Sequence, residues 1–268
     1  MADTPTRDLN SVRYTVLFAT VVCVVCAALI AVAAVLTKPS QAANALLYKE
    51  KNVLLAAGLI GPGDSVNTAQ VQAIFQQSIQ ARLVDLASGE LLPLGGTDAR
   101  HYDQRLARDD PATSREAPPN SAGVRRLPKL GIVYLIKKGG AVDQVVIAIE
   151  GLGMWGQIYG FMSIGPDGNT IQGLTYYDHK ETPGLGGEIS NPSWQALWRG
   201  RKAFDEHWNV GIQVIKGQAG APDADPMRVD GLSGSTITSK AITQLVRYWV
   251  GEQGYGKFLK RLREGAPA

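Results

Sequence analysis

Asp230-Gly-Leu-Ser-Gly-Ser-Thr-Ile-Thr-Ser239 has the composition of a phosphate-binding turn entering a helix: six of these ten side chains carry a hydroxyl or a carboxylate. Gly231 and Gly234 let the backbone approach a ligand closely. The first amides of the helix that follows lack intrahelical acceptors and would face an anion. Read alone, the same residues also make an ordinary N-cap, the commoner use of Ser and Thr before a helix. Thr236 is either part of a cap or a hydroxyl with chemistry of its own.

Two further stretches share the glycine signal. Gly151-Leu-Gly-Met-Trp-Gly156 places three glycines and a tryptophan between two expected strands, and His179-Lys-Glu-Thr-Pro-Gly-Leu-Gly-Gly187 follows another. Glycines free the backbone to line a flat ligand, Pro183 stiffens its loop, and Glu181 and Thr182 offer polar groups to a heteroaromatic edge. Each stretch is equally readable as a plain turn. Trp155 borders a ligand or fills the core. His179 stands alone and reads as a hydrogen-bonded structural residue; with His101 and His207 it gives no metal spacing, so no protein-bound metal is expected in the soluble part. The G-x-G-x-x-G spacing of residues 151–156 lies between two expected strands and not after a first strand, so the chain carries no Rossmann sign of an NADH site.

The elements that must position these turns begin with an anchor. Residues 14–36 carry no charge and span roughly 35 Å as a helix, enough for a bilayer core and longer than the apolar region of a cleaved signal peptide. Arg7 and Arg13 precede it and Lys38, Lys49 and Lys51 follow, so charge does not choose the orientation. Both cysteines, Cys23 and Cys26, sit inside it on one helix face and read as small apolar residues. The rest of the chain has no cysteine, which excludes a disulfide framework there. The net charge of +3 is scattered without a basic stripe, which argues against nucleic acid.

Helical spacing covers residues 41–59, and a second helix opening near Asn67 or Thr68 carries Val71, Ile74, Phe75, Ile79 and Leu83 toward the core. Residues 95–128 turn to Asp, Arg, Pro, Ser and Asn and read as a polar surface excursion. Strands are expected at 131–137, 145–150, 157–164, 170–177 and 211–216, a short helix capped by Asn191 at 194–198, and helices at 238–250 and 255–262. Helices, then strands, then helices define an α+β domain around a largely antiparallel sheet, behind one N-terminal transmembrane helix.

With its GLGMWG, HKETPGLG and DGLSGSTITS motifs behind one anchor, the chain resembles the FMN-binding domain of the C subunit of the bacterial sodium-translocating NADH:quinone reductase. The likeness extends to Tyr102-Asp-Gln-Arg105 and to the closing WVGEQGYGKFLKRLRE. The G subunit of the Rnf electron-transport complex shares the central motifs but is usually shorter. The resemblance implies that Thr236 carries FMN through a phosphoester bond. Ser235 stands where the family has Ala, so Ser235 and Thr238 are rival attachment points. The resemblance also implies that Asp230, which leads the motif, would be a recognition or metal-binding element for the flavin transferase that installs FMN from FAD. Glu181, Thr182, Gly184 and Leu185 are the expected ring contacts, with Ser233, Gly234 and Lys216 on the phosphate side. The implied layout is a cytoplasmic tail over 1–13, a single span at 14–36 in the bacterial inner membrane, and a periplasmic FMN-binding domain over 37–268. The implied function is an electron relay from NADH toward ubiquinone, coupled to sodium export, among the other subunits of the complex. An Rnf-type G subunit and an anchored module without cofactor are the alternatives.

Overall fold

A computed structural model describes residues 11–94 and 99–265. Residues 1–10 of the expected tail, 95–98 of the expected excursion and the last three of the expected periplasmic domain lie outside the described residues. The chain divides into two compact units, residues 1–47 and 48–268.

The first unit is helical. Helix α1 (Val12–Ala56) turns Val16, Leu17, Phe18, Leu29 and Ile30 outward, and it is long and apolar enough to cross a membrane. A helix is one of the two structures that satisfy every backbone polar group inside lipid. The two cysteines are exposed on it.

From Tyr48 onward the chain packs. The last turns of α1 bury Glu50, Val53 and Leu54, and Glu50 pairs with Arg100 at 2.7 Å. Helix α2 (Thr68–Ser78) opens with a reciprocal cap: Gln70 N–H donates to the Asn67 side chain at 2.9 Å, and Asn67 N–H donates to the Gln70 side chain at 2.8 Å. The helix stops at Ser78, and Ile79–Asp85 is strand β1, which corrects the expectation that Ile79 and Leu83 lie on the helix. Their four-residue spacing from Phe75 imitates a helical stripe. Each residue of β1 instead opposes one of β4 (Leu130–Lys138), and a partner far away in sequence decides the local period.

The stretch read as a polar excursion holds helix α3 (Gln104–Asp109) and a hairpin of β2 (Ser114–Glu116) and β3 (Arg126–Pro128). Gln104, Ser114 and Leu127 are buried, so much of its polarity serves contacts inside the fold. Strands β5 (Ala141–Leu152), β6 (Gln157–Ile164) and β7 (Ile171–Asp178) continue from β4 as a meander. The sheet has the order β1-β4-β5-β6-β7 and is antiparallel throughout. Helix α4 (Pro192–Ala196) is capped by Asn191, whose side chain accepts from Ser193 N–H at 3.0 Å. The strand expected at 211–216 shrinks to β8 (Gln213–Val214), which pairs in parallel with β9 (Arg228–Val229) outside the main sheet.

Helices α5 (Thr236–Val250) and α6 (Gly256–Arg263) close the chain. α5 sets Ile242, Leu245, Val246 and Trp249 into the core formed with Ile147 and Ile149 of β5, and Trp249 Nε1 donates to the Glu150 carbonyl at 2.5 Å. The described residues thus form an N-terminal apolar helix followed by an α+β domain with an antiparallel sheet flanked by helices.

Strand β5 leads into the GLGMWG turn and is gripped by α3 through one buried ion pair. Arg108 donates to Glu150 Oε2 at 2.8 Å. Burial raises the Glu150 carboxyl above its ordinary value, while the charge and hydrogen bond of Arg108 pull it down. Because the folded value is the higher, the stability carried by Glu150 is present below the unfolded pKa and is lost as pH rises through the folded one. Removing Arg108 leaves a buried charge unpaired, at a cost of about 3–5 kcal/mol. Arg108→Ala should therefore destabilise the domain by that order at neutral pH, with a smaller deficit at mildly acid pH, where Glu150 takes a proton. Arg108→Leu combined with Glu150→Leu should recover most of the loss. Denaturant unfolding of the full chain in detergent, followed by tryptophan fluorescence at both pH values, checks the three outcomes.

Candidate functional site

The three glycine-rich turns meet at one cleft of about 390 Å³. Met154 and Trp155 come from the β5–β6 turn, Glu181, Thr182, Leu185 and Gly186 from the loop after β7, and residues 234–238 from the turn into α5. Cavities of about 720 and 630 Å³ exist elsewhere, but neither joins these motifs.

Glu181 ties the three turns together. It is 4% exposed, and each of its oxygens accepts from a different turn: Oε1 from Trp155 N–H at 3.0 Å, Oε2 from the Thr238 hydroxyl at 2.5 Å. Glycine makes room for this. A Cβ on Gly153 would lie 2.6 Å from Glu181 Oε1, and one on Gly186 would lie 2.5 Å from Thr238 Oγ1 and 2.9 Å from Glu181 Oε2. The Glu181 amide donates to His179 Nδ1 at 3.2 Å, and His179 Nε2 lies 2.7 Å from Ser190 Oγ. The histidine is thus part of the loop's internal hydrogen bonding.

Helix α5 begins at Thr236, two residues earlier than the sequence spacing indicates, which makes Thr236 its first residue. Ser235 holds the N-cap position, but its side chain makes no cap hydrogen bond. Among the described residues the amides of Thr236, Ile237 and Thr238 have no acceptor, so an open helix N-terminus lines the cleft. Gly234 enters it at φ +70°, a conformation L side chains rarely adopt, and a Cβ there would crowd Leu185 Cδ2 at 3.1 Å. The three rival hydroxyls differ in environment: Ser235 and Thr238 are buried, and the Thr236 side chain is exposed.

Of the other expected contacts, Gly184, Ser233, Lys216 and Asp230 are not among the lining residues. Lys216 is exposed. Asp230 is occupied in shaping the turn: its Oδ1 accepts from Ala219 N–H at 2.9 Å, and its carbonyl accepts from Trp194 Nε1 at 3.0 Å. Trp155 is 61% exposed, which resolves its alternatives in favour of bordering the cleft. With Met154, Leu185 and Ile237 it forms an apolar rim.

Sequence reasoning misses Met154, Gly186 and Ile237 as lining residues. It also misses what the Tyr102-Asp-Gln-Arg105 stretch does. Arg105 stacks over the Tyr159 ring at 3.4 Å and pairs with Asp178 at 2.8 Å, so α3 pins the root of the β5–β6 turn and the root of the loop after β7. Gln104 Oε1 accepts from Ile132 N–H at 2.9 Å and lies 2.9 Å from the Tyr255 hydroxyl, which seats α3 against β4 and the start of α6. The signal is present in four adjacent residues of different chemistry, but the partners of Gln104 lie 28 and 151 residues away.

An apolar rim for a flat ring and an open helix end for a phosphate suit a flavin mononucleotide, and residues 153–251 match the family model described as FMN-binding domain. The protein is of the FMN-binding class. Over 269 residues it is 41% identical to the C subunit of the Na(+)-translocating NADH-quinone reductase of Yersinia pestis, covering 99% of this chain and 98% of that one. The corresponding C subunit of Pseudomonas aeruginosa is 40% identical over 96% of this chain and 98% of its own. The crystal structure of Shewanella oneidensis NqrC superposes with a TM-score of 0.73 at 29% identity, covering 80% of this chain and 96% of that one. This chain belongs to the family of C subunits of the Na(+)-translocating NADH-quinone reductase, an oxidoreductase complex.

The glycines around Glu181 make the site sensitive to one methyl group. Gly186→Ala should separate Thr238 from Glu181 and destabilise the domain by about 1–3 kcal/mol, the usual range for overpacking. Thermal unfolding should register this as a lower midpoint, and an unchanged midpoint would show that the loop can absorb the methyl group.

Proposed function

We propose that this protein is the membrane-anchored, covalently flavinylated electron-transfer component of a sodium-translocating NADH:ubiquinone reductase, with FMN esterified to Thr236. The observation that carries this reading is the state of the three hydroxyls: Thr236 is exposed in the cleft on an open helix N-terminus, while Ser235 and Thr238 are buried and Thr238 is held by Glu181. The relatives named as C subunits match almost the full length of the chain, which favours this complex over an Rnf-type G subunit.

A threonine hydroxyl is a weak nucleophile unaided, so a flavin transferase must activate it. Thr236 Oγ1 attacks the FMN-side phosphorus of FAD. The Oγ1–phosphorus bond forms, the pyrophosphate bond breaks, AMP leaves, and the hydroxyl proton passes to the transferase. Once the ester is made, the free amides of Thr236, Ile237 and Thr238 are the donors for its phosphate, and Trp155, Met154 and Leu185 are the surfaces for the ring. FMN, when bound, supplies reversible one- and two-electron transfer. The chain's own part is to hold the ring at an exposed apolar rim from which another protein of the complex exchanges electrons with it. With no Rossmann-type fingerprint for NADH, the chain acts as a carrier. In this reading α1 is a single pass of the bacterial inner membrane and the second unit is periplasmic.

Coexpression with a flavin transferase tests the proposal. The denatured protein should fluoresce yellow-green on a gel under ultraviolet light, and peptide mass spectrometry should find the added FMN phosphoryl group on Thr236. Thr236→Leu should abolish the label and leave a folded domain. A wild-type protein without label, or a label on Ser235 or Thr238, would overturn the assignment.

A further inference from the structure

We propose that Glu181 holds a negative charge on the wall of the cleft and thereby lowers the midpoint potential of the flavin. The inference rests on the reading that this cleft takes FMN.

Three observations carry it. Glu181 lines the cleft and is 4% exposed, so water screens its charge poorly. Both of its oxygens act as acceptors, and both donors are neutral, the Trp155 amide and the Thr238 hydroxyl. The neighbouring cation, Lys180, is exposed, and its aliphatic stem lies against Gly156. Among the described residues no cation pairs with Glu181, so it presents a carboxylate solvated by two dipoles and not cancelled by a counterion. Reduction of a flavin by two electrons with uptake of one proton adds one negative charge to the ring. A like charge nearby in a poorly screened site disfavours that state and makes the flavin a stronger reductant when reduced.

A purely structural role would look different. Glutamine has nearly the same shape, can accept from the Trp155 amide through Oε1, and can donate to Thr238 Oγ1 through its side-chain amide. Glu181→Gln thus keeps both links and removes the charge. Thr238→Val does the reverse, removing a link and keeping the charge. Glu181→Met with Thr238→Val removes both members of the Glu181–Thr238 link, so only the Trp155 amide, in an exposed turn, loses its acceptor.

The test uses the full chain coexpressed with a flavin transferase and purified in detergent. Peptide mass spectrometry first establishes that each protein carries FMN, and the bound flavin is then titrated with dithionite and mediators while its absorbance is followed. Glu181→Gln should carry FMN like the wild type and titrate at a more positive potential. The Glu181→Met, Thr238→Val double variant should shift the same way, and it decides the matter if Glu181→Gln does not fold. Thr238→Val alone should show no positive shift. Three results overturn the proposal: an unchanged potential in the charge-removing variants, an equal positive shift in Thr238→Val, or a folded Glu181→Gln that accepts no FMN, which would give Glu181 a part in loading instead. A wild-type protein without covalent FMN would sink the functional reading at the labelling step, before any potential is measured.

Discussion

The cleft depends on one buried carboxylate. Three turns that are 26 and 57 residues apart across Glu181 converge because its two oxygens accept from two of them while its backbone belongs to the third. Burying a charge is expensive unless its lone pairs are met, so the two donors and the acid are mutually required. Packing then imposes its own condition on the sequence. Gly153 and Gly186 leave no space for a Cβ beside the carboxylate, and the glycine density of the motifs follows from geometry around an acid as much as from turn conformation.

The sheet delivers these turns with little freedom. β5, β6 and β7 form a continuous antiparallel meander, and both loops leave from the same end of it, after Leu152 and after Asp178. α3 closes that end: Arg108 holds Glu150 near the end of β5, and Arg105 bridges Tyr159 of β6 and Asp178 of β7. α5 arrives from the opposite direction in sequence and is locked to β5 by the Trp249–Glu150 hydrogen bond. Its first residue is consequently fixed against the loops by packing some four turns away. Thr236 owes its place to the whole of α5.

Much of this is legible in the sequence, and the parts that are not share a cause. The apolar N-terminal helix, the opening of α2 near Asn67, the meander and the three glycine-rich turns each have local signatures: unbroken apolar length, helical spacing of apolar residues, β-branched runs between glycines. Strand β1 reads as helix because Phe75, Ile79 and Leu83 repeat every four residues, a pattern that a strand can carry when its hydrogen-bond partner lies far along the chain. The excursion reads as solvated because polar residues that seat against one another look, in sequence, like residues that seat against water. At the site, Glu181 stands out as a polar group for a ligand edge. Its two protein partners are invisible at that level, since neither Trp155 nor Thr238 is its neighbour in the chain. Lys216 stands out for its charge alone, and the fold leaves it in solvent.

The cleft's shape also bears on why an ester would be used. Sites that hold small ligands by noncovalent contacts alone usually bury most of the ligand's surface. Here the apolar lining is itself open, with Met154, Trp155, Leu185 and Ile237 all strongly exposed. Noncovalent retention at nanomolar affinity demands roughly −12 kcal/mol from such contacts. The proposed tether at Thr236 would remove the demand, because occupancy would no longer depend on free FMN. It would also free the fold from having to enclose the ring. A carrier must show its cofactor to another protein, and a deep pocket would oppose that. Under the proposed esterification, the exposed rim and the exposed Thr236 hydroxyl would be two consequences of one arrangement: retention would be assigned to a bond, and the surface left for electron exchange.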